Sequence, residues 1–128
     1  MGVTKQIPRA EWQAYFEHFT RRHLEGDGDL HKAAVIEVLS PTFGDQVEAT
    51  LMPILGMTYD LESSVFELAL EDLDHLVFNP TAIWVIEEED GFVSTLEVAR
   101  ADGATEIITL RQSGPLALRQ EMPQLPEG

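Results

Sequence analysis

The sequence predicts an α+β protein in which one N-terminal amphipathic helix packs on a strongly bent antiparallel sheet or small open barrel of six to seven strands. Two observations lead to this prediction. Apolar residues recur at helical spacing within residues 8–24. From residue 33 onward the apolar residues follow a period of two, and short segments rich in Asp, Asn, Pro and Gly separate the runs. Such hairpin connections join neighbouring antiparallel strands, so the sheet is predicted to be mostly a meander.

The helix is predicted over residues 8–24. Pro8 suits the first turn of a helix, where its missing N–H is not needed. Trp12, Phe16 and Phe19 then recur at i, i+4 and i+7, which places three large rings on one face. Gly26 favours a helix end, because glycine readily adopts the left-handed cap conformation.

Five segments between the predicted helix and residue 82 are predicted as strands. Pro53 interrupts the second of them, so the third is either a new strand or a bent continuation. The fourth fits a helix face as well as a strand, and we assign it as a strand. The five segments are 33–40, 45–52, 55–61, 64–71 and 76–78.

A three-stranded meander is predicted for residues 82–110, "AIWVIEEEDGFVSTLEVARADGATEIITL", with turns at Asp90-Gly91 and Asp102-Gly103. Trp84 is expected in the core, and the acidic run 87–90 is expected to be a solvated hairpin tip. Residues 113–128 contain three prolines and little periodicity, so we predict a single folded domain over 1–112 and a loose tail over 113–128.

The charge is unevenly distributed. The formal net charge is −15, and residues 33–99 contain 14 carboxylates and no Lys or Arg, whereas residues 1–32 carry five basic and five acidic side chains. Such a field disfavours direct binding to nucleic acid or to anionic membranes and favours a basic partner. The chain has no cysteine, no apolar run of membrane-spanning length and no secretory signal in its first residues, so a cytoplasmic location is expected.

Arg21, Arg22 and His23 form the most basic stretch of this acidic chain. In one interpretation these cations stabilise the helix C-terminus and pair with surface carboxylates. In the other interpretation these residues form a patch that binds a partner or an anion, since a guanidinium binds a carboxylate or phosphate through two parallel hydrogen bonds. Both interpretations remain open at this point.

No metal or cofactor is expected. His18 and His23 are five residues apart, so on an α-helix they do not share a face as i, i+4 ligands do. Asp27, Asp29 and His31 lie in one predicted loop but lack the remaining residues of a calcium-binding loop. No nucleophile elbow or glycine-rich phosphate loop is present either, so no catalytic residue is assigned.

Several blocks of the sequence resemble a bacterial family of small proteins known only as a domain of unknown function. They include "IPRAEWQAYFEHFTRRH", with its IPR-x-x-W and F-[ST]-R-R-H elements, then "IEVLSPTFGDQVEA", "HLVFNPTAIWV" and "LEVARADGATEIITLR". The resemblance runs from Ile7 to Arg111 and includes Arg21, Arg22 and His23. The segment "LEGDGDLHK" and the tail after Arg111 depart from the pattern. The resemblance implies no reaction, ligand or partner.

Three functions are compatible with these observations. The leading hypothesis is a non-enzymatic acidic module that binds a protein partner or associates with itself, for example as a homodimer, because no set of catalytic residue types assembles and the charge suits a basic partner. An alternative is a small-molecule-binding or enzymatic barrel with a pocket between helix and sheet, which a buried polar cluster involving His75 or Tyr59 would support. A second alternative is an acidic mimic of nucleic acid.

Overall fold

The structure, a computed structural model, describes residues 2–25, 32–42, 44–71 and 73–112. For residues 45–51 and 112 it describes the backbone only. Within these residues a helical segment consists of a 3-10 turn (Arg9–Glu11), helix α1 (Trp12–Phe19) and a π-turn (Thr20–Leu24). The eight described strands are β1 (Val3–Ile7), β2 (Lys32–Ser40), β3 (Gly44–Asp60), β4 (Val65–Leu70), β5 (Asp74–Phe78), β6 (Pro80–Glu87), β7 (Val93–Arg100) and β8 (Thr105–Gln112).

All eight strands belong to one antiparallel sheet in the order β1-β6-β7-β8-β2-β3-β4-β5. Two meanders, β2 to β5 and β6 to β8, are joined side by side through β8 and β2, and β1 pairs with β6. The α+β class and the meanders are therefore confirmed, whereas the predicted count of six to seven strands is wrong. The additional strand is β1, which buries only Ile7 and so carries no apolar alternation that a sequence could reveal.

The sheet is not closed but it is curled, because side chains of β5 and β8 are in contact although three strands separate them in the sheet. The first part of β3 pairs with β2 as far as Pro53, and the part after it pairs with β4. The sequence left residues 55–61 as either a new strand or a bent continuation of the preceding one. The structure shows the continuation, since β3 runs without a break through Pro53. The chain then passes from β5 to β6 through Asn79 alone, which adopts a positive φ of 53°. Strands that bend in this way carry the chain from one part of a curled sheet into the next.

The predicted strands in the middle of the chain are present. Residues 64–71, which fitted a helix as well, form β4 with Phe66, Leu68 and Leu70 buried in strict alternation. The short strand predicted at 76–78 is β5, which begins two residues earlier at Asp74. The segment forms a strand and not a helix because it pairs with a neighbouring strand on each side, β3 and β5.

The helix closes the concave face of the sheet with its aromatic stripe, as the sequence predicted. Trp12, Phe16 and Phe19 are all buried. The Trp12 ring meets Tyr59 of β3 edge-on at a centroid distance of 5.0 Å, and Phe16 lies 4.8 Å from Phe66 of β4. Edge-to-face and tilted ring pairs of this kind add stability beyond the area they bury. The helix is therefore fixed to the bent half of the sheet.

Trp84 does not lie in the core, contrary to expectation. Its neighbours Ile83 and Val85 are buried, so Trp84 points to the outer, convex face of the sheet, where it is partly exposed. The register of β6 in the sheet therefore determines that Ile83 and Val85, and not Trp84, face the helix. The tail predicted for 113–128 lies outside the described residues.

Candidate functional site

The end of the helix is attached to the sheet by one side chain. The Thr20 hydroxyl donates a hydrogen bond to the carbonyl oxygen of Met57 and accepts one from the Met57 amide, both at 2.9 Å. Beyond Pro53, β3 no longer pairs with β2, so this stretch of strand edge lacks a neighbouring strand. Thr20 supplies the donor and the acceptor that such a strand would provide, which fixes the position of the π-turn.

A cleft of about 120 Å³ opens between the end of the helix and the β6–β7 turn. We call it the helix-end cleft. The helical segment contributes five of its lining residues, and the β6–β7 region contributes two, the carboxylate of Glu87 and the backbone at Gly91. The five helical residues are Tyr15, His18, Phe19, Arg22 and His23.

Two of the three predicted site residues line this cleft. Arg22 and His23 are among its walls, whereas Arg21 is exposed and does not line it. In the described part of the chain neither arginine has an ion pair with a carboxylate, although the chain carries 23 acidic residues. The pairing with surface carboxylates that the first interpretation expected is therefore not found among these residues.

His18 and His23 share this cleft, contrary to the expectation from α-helical geometry. Residues five apart lie close to the same face only where the helix widens to i→i+5 hydrogen bonding, and residues 20–24 form such a turn. The His23 ring also lies 5.0 Å from Phe19 and 5.7 Å from Phe92. Within the described residues no group of three or more His, Asp or Glu side chains could hold a metal ion. Asp27, Asp29 and His31 lie outside them.

Glu87 is held by two partners at one side of the helix-end cleft. Its Oε2 accepts a hydrogen bond of 2.5 Å from the Tyr15 hydroxyl, and its Oε1 lies 3.2 Å from Nζ of Lys5 on β1. Burial raises the pKa of Tyr15 above its ordinary value of 10, and the neighbouring Glu87 carboxylate raises it further. The Tyr15 hydroxyl is thus the hydrogen-bond donor to Glu87. Glu87 is consequently a paired group, not part of the solvated tip that the acidic run suggested.

A second polar cluster lies where β5 meets β8 across the opening of the curl. Glu106 of β8 is 1% exposed, and its Oε1 lies 2.6 Å from Nε2 of His75 on β5. Its Oε2 accepts a 3.0 Å hydrogen bond from Arg100 at the end of β7. Arg100 also donates hydrogen bonds from Nε and Nη2 to the Asp102 carboxylate, and this lowers the pKa of the Asp102 carboxyl. We call these four residues the Glu106 cluster.

The sequence analysis had named His75 but had missed Glu106. A usable signal existed, because Glu106 has the same strand parity as the buried Ile108 and Leu110, so it is a carboxylate on the apolar face. Each Glu106 oxygen has a partner, so the cluster has no orphaned carboxylate oxygen that would demand a ligand. It connects two strands that are separated by β2, β3 and β4 in the sheet.

Within the described residues β5 is an edge strand of the sheet, and part of its backbone faces away from its partner strand β4. The amide of Asn79 bonds the carbonyl oxygen of Ser64, and the amide of Leu70 bonds that of Leu73, which fixes the alternation of the β4–β5 ladder. In an antiparallel ladder every second residue directs its N–H and C=O away from the partner strand. These residues in β5 are Asp74, Leu76 and Phe78.

The same three residues point their side chains to the convex face. Leu76 is 42% exposed and Phe78 is 61% exposed, and Glu67 of β4 lies directly opposite Leu76. Desolvation raises the pKa of Glu67, as does its hydrogen bond with Asp74. We call Asp74, Leu76, Phe78 and Glu67 the β5 edge surface. Beside Phe78 a groove of about 300 Å³ continues along Asn79, Arg100, Ala101 and Asp102.

Comparison with known proteins places this chain in a family. Residues 3–120 match the model of the Family of unknown function (DUF5335), a span that includes the start of the tail after Arg111. An uncharacterized protein of Aquifex aeolicus (strain VF5) is 36% identical over 115 residues, which are 89% of this chain and 97% of that protein. No solved structure matches. The chain therefore belongs to DUF5335, and the resemblance to a bacterial family of unknown function is confirmed.

Among the described residues, no helix has the length and apolar character needed to cross a membrane. The cytoplasmic location stays a prediction.

Proposed function

We propose that this member of DUF5335 is a non-enzymatic acidic interaction module that binds a basic, extended segment of a protein partner along the β5 edge surface. One observation carries the proposal: among the described residues β5 has a partner strand on one side only, and it also exposes Leu76 and Phe78. Edge strands are usually protected by lysine, proline, a bulge or a covering element, because their free groups invite pairing with another chain. The strand "DHLVF" has no lysine and no proline.

The geometry of the edge suits an added strand. The N–H and C=O groups of Asp74, Leu76 and Phe78 alternate along it at the spacing that an incoming strand requires. Main-chain hydrogen bonds would provide affinity, and the groove beside Phe78 would receive a side chain of the partner. The apolar side chains would cover one face of the new strand.

The charge of the partner follows from the residues around this edge. Asp60, Glu67 and Asp74 lie on the convex face in the rows that include Phe78, Leu76 and Ala69. No Lys or Arg occurs anywhere in residues 33–99, which include β3 to β6. Basic side chains in a partner would meet these carboxylates, whereas acidic ones would be repelled at a cost of several kcal/mol.

Charge also argues against a second copy of the chain as the occupant. Pairing β5 with β5 would join the acidic convex faces of two protomers into one surface, and each protomer carries a formal charge of −15. Glu67 already has a raised pKa beside Asp74, so further negative charge there is unfavourable. A basic partner relieves this repulsion instead.

The test uses a synthetic eight-residue peptide in which valine and lysine alternate, titrated against the full chain by fluorescence anisotropy at low and at high salt. We expect binding that weakens with added salt. Phe78→Ser is expected to weaken it about tenfold, because most of the ring is available for burial by the partner. Leu76→Pro removes an edge N–H without removing a ladder hydrogen bond, so it should abolish binding while the protein stays folded.

The matched control is Val3→Ser. Val3 is 64% exposed on β1, the strand at the opposite end of the sheet, so its loss should leave peptide binding unchanged. A peptide with glutamate in place of lysine should not bind. Equal binding of both peptides, or full binding by Leu76→Pro, would overturn the proposal. A dimer in sedimentation experiments that Phe78→Ser dissociates would instead assign the edge to a second copy.

A further inference from the structure

We infer that the helix-end cleft is a binding site for a small carboxylate attached to an aromatic ring, with the Arg22 guanidinium as the group that recognises the carboxylate. This site is separate from the β5 edge surface and does not depend on its function. The inference starts from Arg22, which lines the cleft and has no ion pair with any described residue.

The cleft favours an anion although the protein as a whole is strongly acidic. The acidic group among its lining residues, Glu87, is compensated by Lys5 at 3.2 Å and by the Tyr15 hydroxyl at 2.5 Å. Among the described residues that line the cleft, Arg22 therefore carries a positive charge without an ion-pair partner. A guanidinium forms two parallel hydrogen bonds with a carboxylate, which makes this the anion that Arg22 fits best.

The aromatic residues that line the cleft favour a carboxylate ligand that also carries an aromatic ring. Phe19 and the His23 imidazole lie 5.0 Å apart at a tilt of 34°, and Tyr15 lines the same cleft. Flat aromatic walls of this kind stack on a planar ring. A volume of about 120 Å³ suits a single ring, since a cavity of about 150 Å³ is known to hold benzene. His18 adds a further ring N–H at the rim.

The experiment titrates the full chain with benzoate and follows backbone amide shifts by NMR. Benzoate should bind with a Kd of about 1 mM, as expected for a ligand of so few atoms. The largest shifts should fall on residues of the π-turn and on Gly91. Benzamide lacks the charge and acetate lacks the ring, so each should bind about tenfold more weakly or not at all.

The chain supplies a matched pair of variants. Arg22→Gln should weaken benzoate binding about tenfold, because a charge-assisted hydrogen-bond pair is lost. Arg21→Gln removes the same charge from the neighbouring residue, which does not line the cleft, so it should bind benzoate as the wild type does. Circular dichroism of both variants verifies that the fold is kept.

A carboxylate close to an aromatic ring occurs both in free aromatic acids and at the C-terminus of a peptide that ends in phenylalanine, where two carbon atoms separate the two groups. A tripeptide Gly-Gly-Phe serves as the second probe. Binding of benzoate alone identifies a free acid, and tighter binding of the tripeptide identifies a chain terminus; either supports the site. Binding of neither probe, equal binding of benzamide, or equal losses in Arg21→Gln and Arg22→Gln would overturn the inference.

Discussion

Replacing Arg100 by leucine is expected to destabilise the protein by about 3 kcal/mol. Glu106 is 1% exposed and its carboxylate has two partners, Arg100 at 3.0 Å and His75 at 2.6 Å. Without Arg100 the buried carboxylate keeps only the imidazole. A buried charge that loses a partner retains the cost of leaving water and loses part of its compensation.

The size of this effect follows from where the two side chains lie. Breaking a fully buried ion pair by removing one partner costs about 3–5 kcal/mol. The Arg100 side chain is 30% exposed whereas that of Glu106 is 2% exposed, so water screens one end of the pair and the lower end of that range applies. For a domain of 128 residues this corresponds to a fall in Tm of about 10 °C.

The assay is urea unfolding monitored by the fluorescence of Trp12 and Trp84 for the wild type and four variants. Arg100→Leu should show the full loss. The double variant Arg100→Leu/Glu106→Leu should recover most of it, because no unpaired charge then remains beside Ile108 and Leu110. Glu106→Leu alone should fall between the two. Asp102→Asn removes only an exposed partner of Arg100 and should change little.

The reasoning would be refuted by a double variant that is as unstable as Arg100→Leu. That result would mean that the packing of the arginine side chain, and not the uncompensated charge of Glu106, stabilises the fold. Wild-type stability in Arg100→Leu would equally contradict it.

Two further predictions concern the helix end and the β5 edge. Thr20→Val keeps the shape of the side chain but loses both hydrogen bonds to Met57, so it should cost about 1–3 kcal/mol and speed amide hydrogen exchange at Met57. At β5, the pKa of Glu67 is raised above its ordinary 4.5, so the folded state binds this proton more tightly than the unfolded chain. The resulting stability is present below that ordinary value and is lost as the pH rises through the raised pKa. Glu67→Gln should remove this part of the pH dependence in urea unfolding as the pH rises from about 4.5, and an unchanged profile would contradict it.

The helix and the final meander could be predicted because their signals are local. Trp12, Phe16 and Phe19 mark a helix face by spacing alone, and Asp90-Gly91 and Asp102-Gly103 mark turns in which both glycines adopt a positive φ. The β1 strand could not be predicted, because its stability comes from pairing with β6, about eighty residues away along the chain. The orientation of Trp84 likewise depends on which face of β6 the helix covers.

The predicted site stays a prediction, and the structure brings together only some of its residues. Arg22 and His23 line one cleft, but the sequence could not show that His18 joins them, because α-helical geometry separates residues that are five apart. Glu106 could have been found from its parity with Ile108 and Leu110. The exposed backbone of β5 could not, since its position at the edge is a property of the whole strand order.

The π-turn has a consequence for how the length of this segment can vary. Thr20 is fixed to Met57 at one end of the turn, and the chain leaves it at Leu24. Deleting one residue between them would restore α-helical winding and rotate every later side chain by about 100° about the helix axis. Arg22 and His23 would then leave the cleft although both residues were still present. In relatives of this protein the number of residues in the turn should therefore matter as much as their identity.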